Sequence, residues 1–376
     1  MLPLSGVRVL DFTRVLAGPY GSLFLADLGA DVVKVEHPGE GDDTRAFGPP
    51  FLSGESTYFL SVNRGKRSVT IDLKDPAGQA RARALALAAD VVFSNFRPGV
   101  MERLGLGAEA LRAERPDLIV CTIQAFDDPD DPRPGYDLLM QGLSGIPALT
   151  GPVEGEPHKC PASIADLASG MNAAIAILAA LHRKQRSGEG ATVRVSLHES
   201  TLSLLTYHAS AWLNAGAAAP RMGNHHRSIH PFGSYPAADG HLNLCVGNDA
   251  LWVTLCKALG EPERGALPAY ARNADRVAAR AELDAWLCRR LAEDTVAGWT
   301  ARLTAAGVPC GPILSVEQAL DGLVTLSHPH PQTGEAVRTL RLPFAMDGAG
   351  RGAERRAPRL GEHDGEVDAA WLARAP

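Results

Sequence analysis

Short apolar runs alternate with longer stretches of mixed character along the first third of the chain. Val7-Arg8-Val9-Leu10-Asp11-Phe12 reads as a buried strand, followed by a turn and a helix from about Pro19 to Leu28. Asp31 to Glu36 reads as the next strand, and Ser68 to Leu73, Asp90 to Phe93 and Leu118 to Ile123 as later ones. Ala-, Leu- and Arg-rich segments, Pro76 to Ala88 and Ala108 to Glu114, predict helices between the later strands. Apolar strands alternating with helices predict a parallel sheet covered on both faces.

Beyond a polar, proline-rich loop at Asp127 to Gly135, the pattern predicts a long helix from Asp166 to Lys184. A strand at Ala191 to Leu197 and a helix at Ser200 to Ala215 follow. The composition then changes. Gly223 to Pro236 is rich in His, Gly and Pro; His241 to Val246 reads as a strand, and Leu251 opens a helical region running to Ala306. Met222 to Gln318 is therefore expected to form a second, smaller domain, and the Gly-, Ala- and Arg-rich tail from Asp347 to Arg359 an extended surface segment. No internal repeat is evident.

Composition narrows the function classes. With 376 residues, 45% apolar and 21% charged, the chain suits a soluble protein of two domains and excludes disorder as the main state. A formal charge of −6 gives no overall basic field for nucleic acid, while a local basic pocket for a small phosphorylated ligand stays open. The six cysteines, Cys121, Cys160, Cys245, Cys256, Cys288 and Cys310, form no C-x-x-C pair and read as reduced thiols of a cytoplasmic protein. The first residues lack the pattern of a signal peptide. The apolar stretch Ile164 to Leu181 carries Asp166, Ser169 and Asn172, which favours a buried helix over a membrane span.

The opening strand, turn, helix and strand look like half of a dinucleotide-binding unit, with Glu36 placed to hold a ribose. The turn, Arg14 to Gly21, lacks the G-x-G-x-x-G spacing, which weakens a nicotinamide or flavin oxidoreductase reading. The start of the helix still suits an anionic ligand. Asp166 precedes a run of small and apolar residues and belongs in the first turn of a buried helix, where the helix dipole would keep it ionised. Two roles are open to it: a carboxylate that stabilises its helix, or a covalent nucleophile. Asn224, His225 and His226 lie in a loop that suits either a substrate or plain solvent, and no second cluster supports a metal site. His182, His198 and His208 read as structural. Neither a G-x-S-x-G elbow nor a P-loop occurs.

Taken in order, several blocks resemble the family III CoA-transferases, the group that includes formyl-CoA:oxalate and carnitine CoA-transferases. They are Leu10 to Pro19, Leu28 to Glu36, Gly41 to Arg45, Asn63 to Ser68, Asn95 to Gly99 with Arg103-Leu104-Gly105, and Gly135-Tyr136-Asp137. Ala165-Asp166-Leu167 through Leu181, Val308 to Pro312 and Pro358 to His363 complete a resemblance that spans nearly the whole chain. It implies an α/β fold with a Rossmann-like, CoA-binding large domain over residues 1–200, completed by about 335–376. A smaller α+β domain would span 222–318, with linkers at 201–221 and 319–334, in an interlocked homodimer.

The resemblance also implies that Asp166 is the nucleophile, carrying CoA as an aspartyl thioester between an acyl-CoA donor and a carboxylic acid acceptor, with no metal. Val15, Ile71, Lys74, Asn95, Phe96, Arg103, Leu104 and Tyr136 match CoA-lining positions, and Lys74 and Arg103 would meet phosphates. His37 stands where formyl-CoA transferase has a CoA-binding arginine, and Leu16 where it has a glutamine. Gly223 to Ile229 replaces its glycine-rich loop, which argues against oxalate and formate as substrates. Asp42 to Phe51 with Glu55 to Tyr58 is similar to transferases that use succinyl-CoA with dicarboxylic acceptors. The same fold also hosts α-methylacyl-CoA racemases, in which histidine precedes the position of Asp137; here it is Tyr136, a poor base at neutral pH. A non-catalytic CoA-binding relative is the third reading, against which Asp166 speaks.

Overall fold

Six short strands build one parallel sheet in the computed structural model, which describes residues 2–128, 131–347 and 352–373. The strands are Arg8–Asp11 (β1), Asp31–Glu36 (β2), Arg67–Thr70 (β3), Val91–Ser94 (β4), Ile119–Gln124 (β5) and Ala191–Ser196 (β6). Their order is β3-β2-β1-β4-β5-β6, and every neighbouring pair is parallel. The order reverses between β1 and β4, which is where sheets of this kind leave a crevice at their carboxyl ends.

Alternation along the strands feeds two cores. Val9, Val91, Ile119 and Cys121 pack on one face beneath the helices Ala17–Asp27 (α1) and Ile164–Ser187 (α3). Leu10, Val33, Val92 and Val120 pack on the other, against the helix Pro76–Ala88 (α2) and Trp371. Helix α3 is long and apolar enough to cross a membrane by length and composition, but Ala165, Ala173, Ile177 and Leu181 are spent in the core.

The elements depart from their predicted bounds for identifiable reasons. The strand expected at Ser68 to Leu73 stops at Thr70, and the chain then turns through Asp72, whose carboxylate accepts from the Lys74 N–H at 2.9 Å. The helix expected at Ser200 to Ala215 is two helices, Leu197–Ser203 and Tyr207–Ala215, broken at Thr206 with a φ of 41°. Ser196 ends β6 because its hydroxyl caps the first of them, accepting from the Glu199 N–H at 3.1 Å. Of the expected polar loop, Pro129 and Asp130 lie outside the described residues, as do 348–351 of the expected surface tail. The described part of that tail is packed rather than superficial: Ala357 is buried, Ala353 N–H donates to Asp27 at 2.7 Å, and Gly65 N–H donates to the Arg355 carbonyl at 2.8 Å.

The chain divides into two compact units. The first comprises Met1–Pro147, Lys159–Ala218 and Val324–Pro376; the second comprises Ala148–His158 and Ala219–Leu323. In the second, the antiparallel strands Phe232–Ala237 (β7), Gly240–Cys245 (β8) and Cys310–Pro312 (β9) pair in the order β9-β8-β7. Trp252, Trp286 and Trp299, from three separate helices, fill its core with Leu242, Leu244 and Leu283. The segment 148–158, which no composition signal had marked, belongs to this unit.

Candidate active site

A tight crossing of α1 and α3 sets the geometry of the site. A side chain at Gly170 would place its Cβ 2.4 Å from the Ala17 carbonyl oxygen, and one at Gly21 would lie 2.8 Å from the Gly170 carbonyl. Only bare backbone lets the two helices approach so closely. Asp166 lies one turn before Gly170 and is thereby brought to the start of α1. Leu16 and Ala17, at that start, line the same cleft as Asp166, and no side chain caps the first turn of α1. The cleft holds about 280 Å³ and opens at the carboxyl ends of β1, β4 and β5, with Asn95, Phe96, Gln124 and Tyr136 among its walls.

The helix-stabilising role that the sequence leaves open to Asp166 is filled by another residue. Asp137 accepts from the Ala165 N–H in the first turn of α3 at 3.0 Å, and from the Gln141 amide at 2.8 Å. Gln141 in turn accepts from the Cys160 N–H at 2.8 Å, fixing the segment that leads into the helix. This is why α3 begins at Ile164, ahead of its predicted start. The Asp166 carboxyl, half-buried, makes no hydrogen bond or ion pair among the described residues. Burial and the neighbouring Asp137 charge push it up to about 7, against the expectation that its place at the helix start would keep it ionised. Tyr58 is raised to about 12 by burial and by the charges of Asp166, Asp137 and Asp42.

The other sequence-predicted positions separate into groups. Val15, Asn95, Phe96 and Tyr136 line the Asp166 cleft. His37, Ile71 and Lys74 line an adjoining pocket of about 140 Å³ at the ends of β2 and β3, and Arg14 and Phe96 are common to both chambers. Arg103 and Leu104 follow β4 on and after the short helix Val100–Arg103; Arg103 is exposed, and Leu104, like Phe96, packs against the sheet core. Asn224, His225 and His226 belong to the second unit, where the edge of the His225 ring meets Tyr235 and Arg280 donates to the His226 carbonyl at 2.9 Å. Arg14, Arg97 and Gln124, all cleft residues, and Asp137 as a cap carry no distinguishing signal in the sequence. Arg14, Arg97 and Asp137 sit inside motif blocks already quoted, but only the fold shows what they touch.

Glu36 does not have the ribose-binding freedom a dinucleotide site requires. Its carboxylate is buried and accepts from both Nε and Nη2 of Arg45, from Ser68 and from the Asp42 N–H. No group of three His, Cys, Asp or Glu side chains suits a metal ion among the described residues.

Two chambers in series at the carboxyl ends of a doubly wound sheet, one ending at an unpaired carboxylate, define an α/β enzyme for an elongated ligand. The family profile described as CoA-transferase family III matches residues 4–364. The chain is 39% identical to the succinyl-CoA:glutarate CoA-transferase of Mus musculus, covering 96% of this chain and 85% of that one. It is 40% identical to the succinate–glutarate CoA-transferase of Agrobacterium fabrum, over 97% of this chain and 94% of the relative. The crystal structure of a CAIB/BAIF family protein from Brucella suis superposes with a TM-score of 0.84 at 37% identity, covering 98% and 99% of the two chains. The chain belongs to CoA-transferase family III, and its reaction is the transfer of CoA between acids.

Proposed function

We propose that this enzyme moves CoA from succinyl-CoA to a dicarboxylic acid such as glutarate, with Asp166 as the covalent carrier. The observation that carries the assignment is the unpaired carboxyl of Asp166 at the start of α1, its capping duty taken by Asp137. The carboxylate attacks the thioester carbonyl of the donor, and CoA leaves as a thiolate, giving a mixed anhydride. The thiolate then attacks the aspartyl carbonyl, forming an aspartyl-CoA thioester and releasing succinate. The acceptor carboxylate displaces CoA from that thioester, and the thiolate attacks the acceptor side of the second anhydride, restoring Asp166. Each step exchanges one acyl bond for another, so no outside energy source enters. The uncapped start of α1 offers backbone N–H groups to each tetrahedral oxyanion.

Support for a dicarboxylate comes from the names of both relatives and from the cations at the cleft, Arg14 and Arg97. The pocket of His37, Ile71 and Lys74 suits the nucleotide end of CoA, with the pantetheine arm running past Phe96 to Asp166. Purified protein incubated with succinyl-CoA and a panel of mono- and dicarboxylic acids tests the reading by mass spectrometry. Glutaryl-CoA or another dicarboxylyl-CoA is the expected product; turnover of monocarboxylic acids alone would overturn the acceptor class.

Because the nucleophile must be ionised, kcat/KM for succinyl-CoA should fall about tenfold per pH unit below about 7 and level off above it. A profile still flat down to pH 5 would mean that Asp166 is not the group whose ionisation limits attack.

We also propose a homodimer in a reducing compartment. Exposed Leu138, Leu143, Ile175, Trp212 and Leu213 give the first unit apolar surface of the kind that subunit contacts cover, and all six cysteines are free thiols. Sedimentation should give a mass near twice the 39.7 kDa of one chain, and a single-chain mass at micromolar concentration would contradict the dimer.

A further inference from the structure

The loop joining β1 to α1 has an unfavourable conformation and lies against a buried ion pair. Val15 has a φ of 67°, a left-handed conformation that a β-branched side chain resists. Each residue around it is fixed by a separate partner. Asp11 accepts from the N–H and hydroxyl of Thr13 at 2.8 and 2.5 Å, and Lys34 donates to the Thr13 carbonyl at 2.7 Å. The side-chain amide of Asn95 clamps both the N–H and the carbonyl of Arg14, each at 2.8 Å. The Val15 N–H donates to the Asp42 carboxylate at 3.3 Å.

Asp42 is itself fixed on all sides. Its second oxygen pairs with Lys34 at 2.7 Å, both side chains being fully buried, and its first accepts from the N–H and hydroxyl of Thr44 at 2.9 and 2.7 Å. A buried ion pair adds little net stability over an apolar pair of similar size, so its place beneath a strained loop calls for a functional account. That loop sets where α1 starts, and the start of α1 is what the cleft presents to Asp166.

We propose that Asp42, oriented by Lys34, is a positioning residue that holds Val15 in its left-handed conformation and so aims the first-turn amides of α1 at the oxyanions formed on and beside Asp166. This rests on the reading of Asp166 as the carrier. Asp42 touches no reacting atom; it acts through Val15. The amides act on charge that exists only in the transition state, so their misalignment lowers kcat and spares KM.

The test compares wild type, Val15→Gly, Asp42→Ala and the double variant for kcat, KM for succinyl-CoA, melting temperature and CoA attached to Asp166. Glycine accepts a positive φ without strain, so Val15→Gly should melt no lower than wild type and should need the Asp42 clamp less than valine does. Asp42→Ala should lower the melting temperature and lower kcat about tenfold, with KM within about twofold. The double variant should recover part of the kcat that Asp42→Ala loses, because both changes act through one dihedral angle that glycine keeps positive unaided. Wild-type kcat in Asp42→Ala, or losses that multiply in the double variant, would overturn the proposal while leaving Asp166 as carrier. If Asp42→Ala does not fold, Asp42→Asn takes its place in both comparisons. A wild type that turns over without CoA on Asp166 would instead overturn the carrier assignment, and this proposal with it.

Discussion

Replacing Asp166 by asparagine should abolish CoA transfer and raise the melting temperature of the protein. The first half follows from the chemistry: an amide has no charged oxygen to attack a thioester, and loss of a covalent nucleophile lowers kcat by about a thousandfold or more. The second half follows from the environment of the residue. Burial and Asp137 raise the Asp166 carboxyl to about 7 from an ordinary value of 3.8, so its ionised form destabilises the folded state. The sign is definite. The favourable contribution of the protonated group is complete below about pH 4 and is lost as pH rises through about 7. The stability gap between the asparagine variant and wild type should therefore widen from pH 4 to 7 and stay constant above that. Thermal melts at pH 5 and pH 8 check this. Equal melting temperatures for the two proteins at pH 8 would mean that the carboxylate carries no electrostatic penalty.

Substitution of Gly170 by valine should act on the frame rather than the chemistry. Any Cβ at this position meets the Ala17 carbonyl oxygen at 2.4 Å and the Gly21 nitrogen at 3.1 Å. Both are backbone atoms, so a rotamer change relieves nothing and the helices must separate. Overpacking of this kind destabilises by about 1–3 kcal/mol, and valine adds two methyl groups to the clash. Moving α1 away from α3 also draws the uncapped helix start away from Asp166, so activity should fall even in the molecules that stay folded. Gly365→Ala is the control. Gly365 lies exposed in the helix Asp364–Trp371, where an added Cβ meets nothing within 4 Å. Alanine there should not lower stability and should leave transfer unchanged. Thermal melts and initial rates on both variants separate the two cases.

What the sequence made legible was the local pattern. Apolar runs such as Val7 to Phe12 and Asp31 to Glu36 located strands because both faces of a parallel sheet are buried, and the small-residue run after Asp166 located a core helix. The ordered motif blocks brought Asp166, Val15, Asn95, Phe96 and Tyr136 to attention, and all of them line one cleft. Less visible was anything that depends on contacts across the fold. The raised Asp166 carboxyl comes from its burial and its approach to Asp137, 29 residues away, which helix position alone does not show. The Val15 clamp joins Asp42, Lys34 and Asn95 from three separate segments. The break at Thr206 leaves no signal in a sequence with helical composition on both sides. The tail after residue 351 reads as surface from its Gly, Ala and Arg content, yet its backbone bonds to Asp27 and Gly65 tie it into the fold.

CoA attached to Asp166 during turnover is the species that the proposed mechanism requires. Wild-type protein is mixed with succinyl-CoA without acceptor, quenched in acid, digested, and the peptide spanning Asp166 analysed by mass spectrometry, beside Asp166→Asn. A CoA adduct is expected on that peptide through the Asp166 carboxyl, discharged when glutarate is added and absent from the asparagine variant. Formation of a new acyl-CoA by the asparagine variant at the wild-type rate, or by wild type with no adduct at any time during turnover, would contradict it.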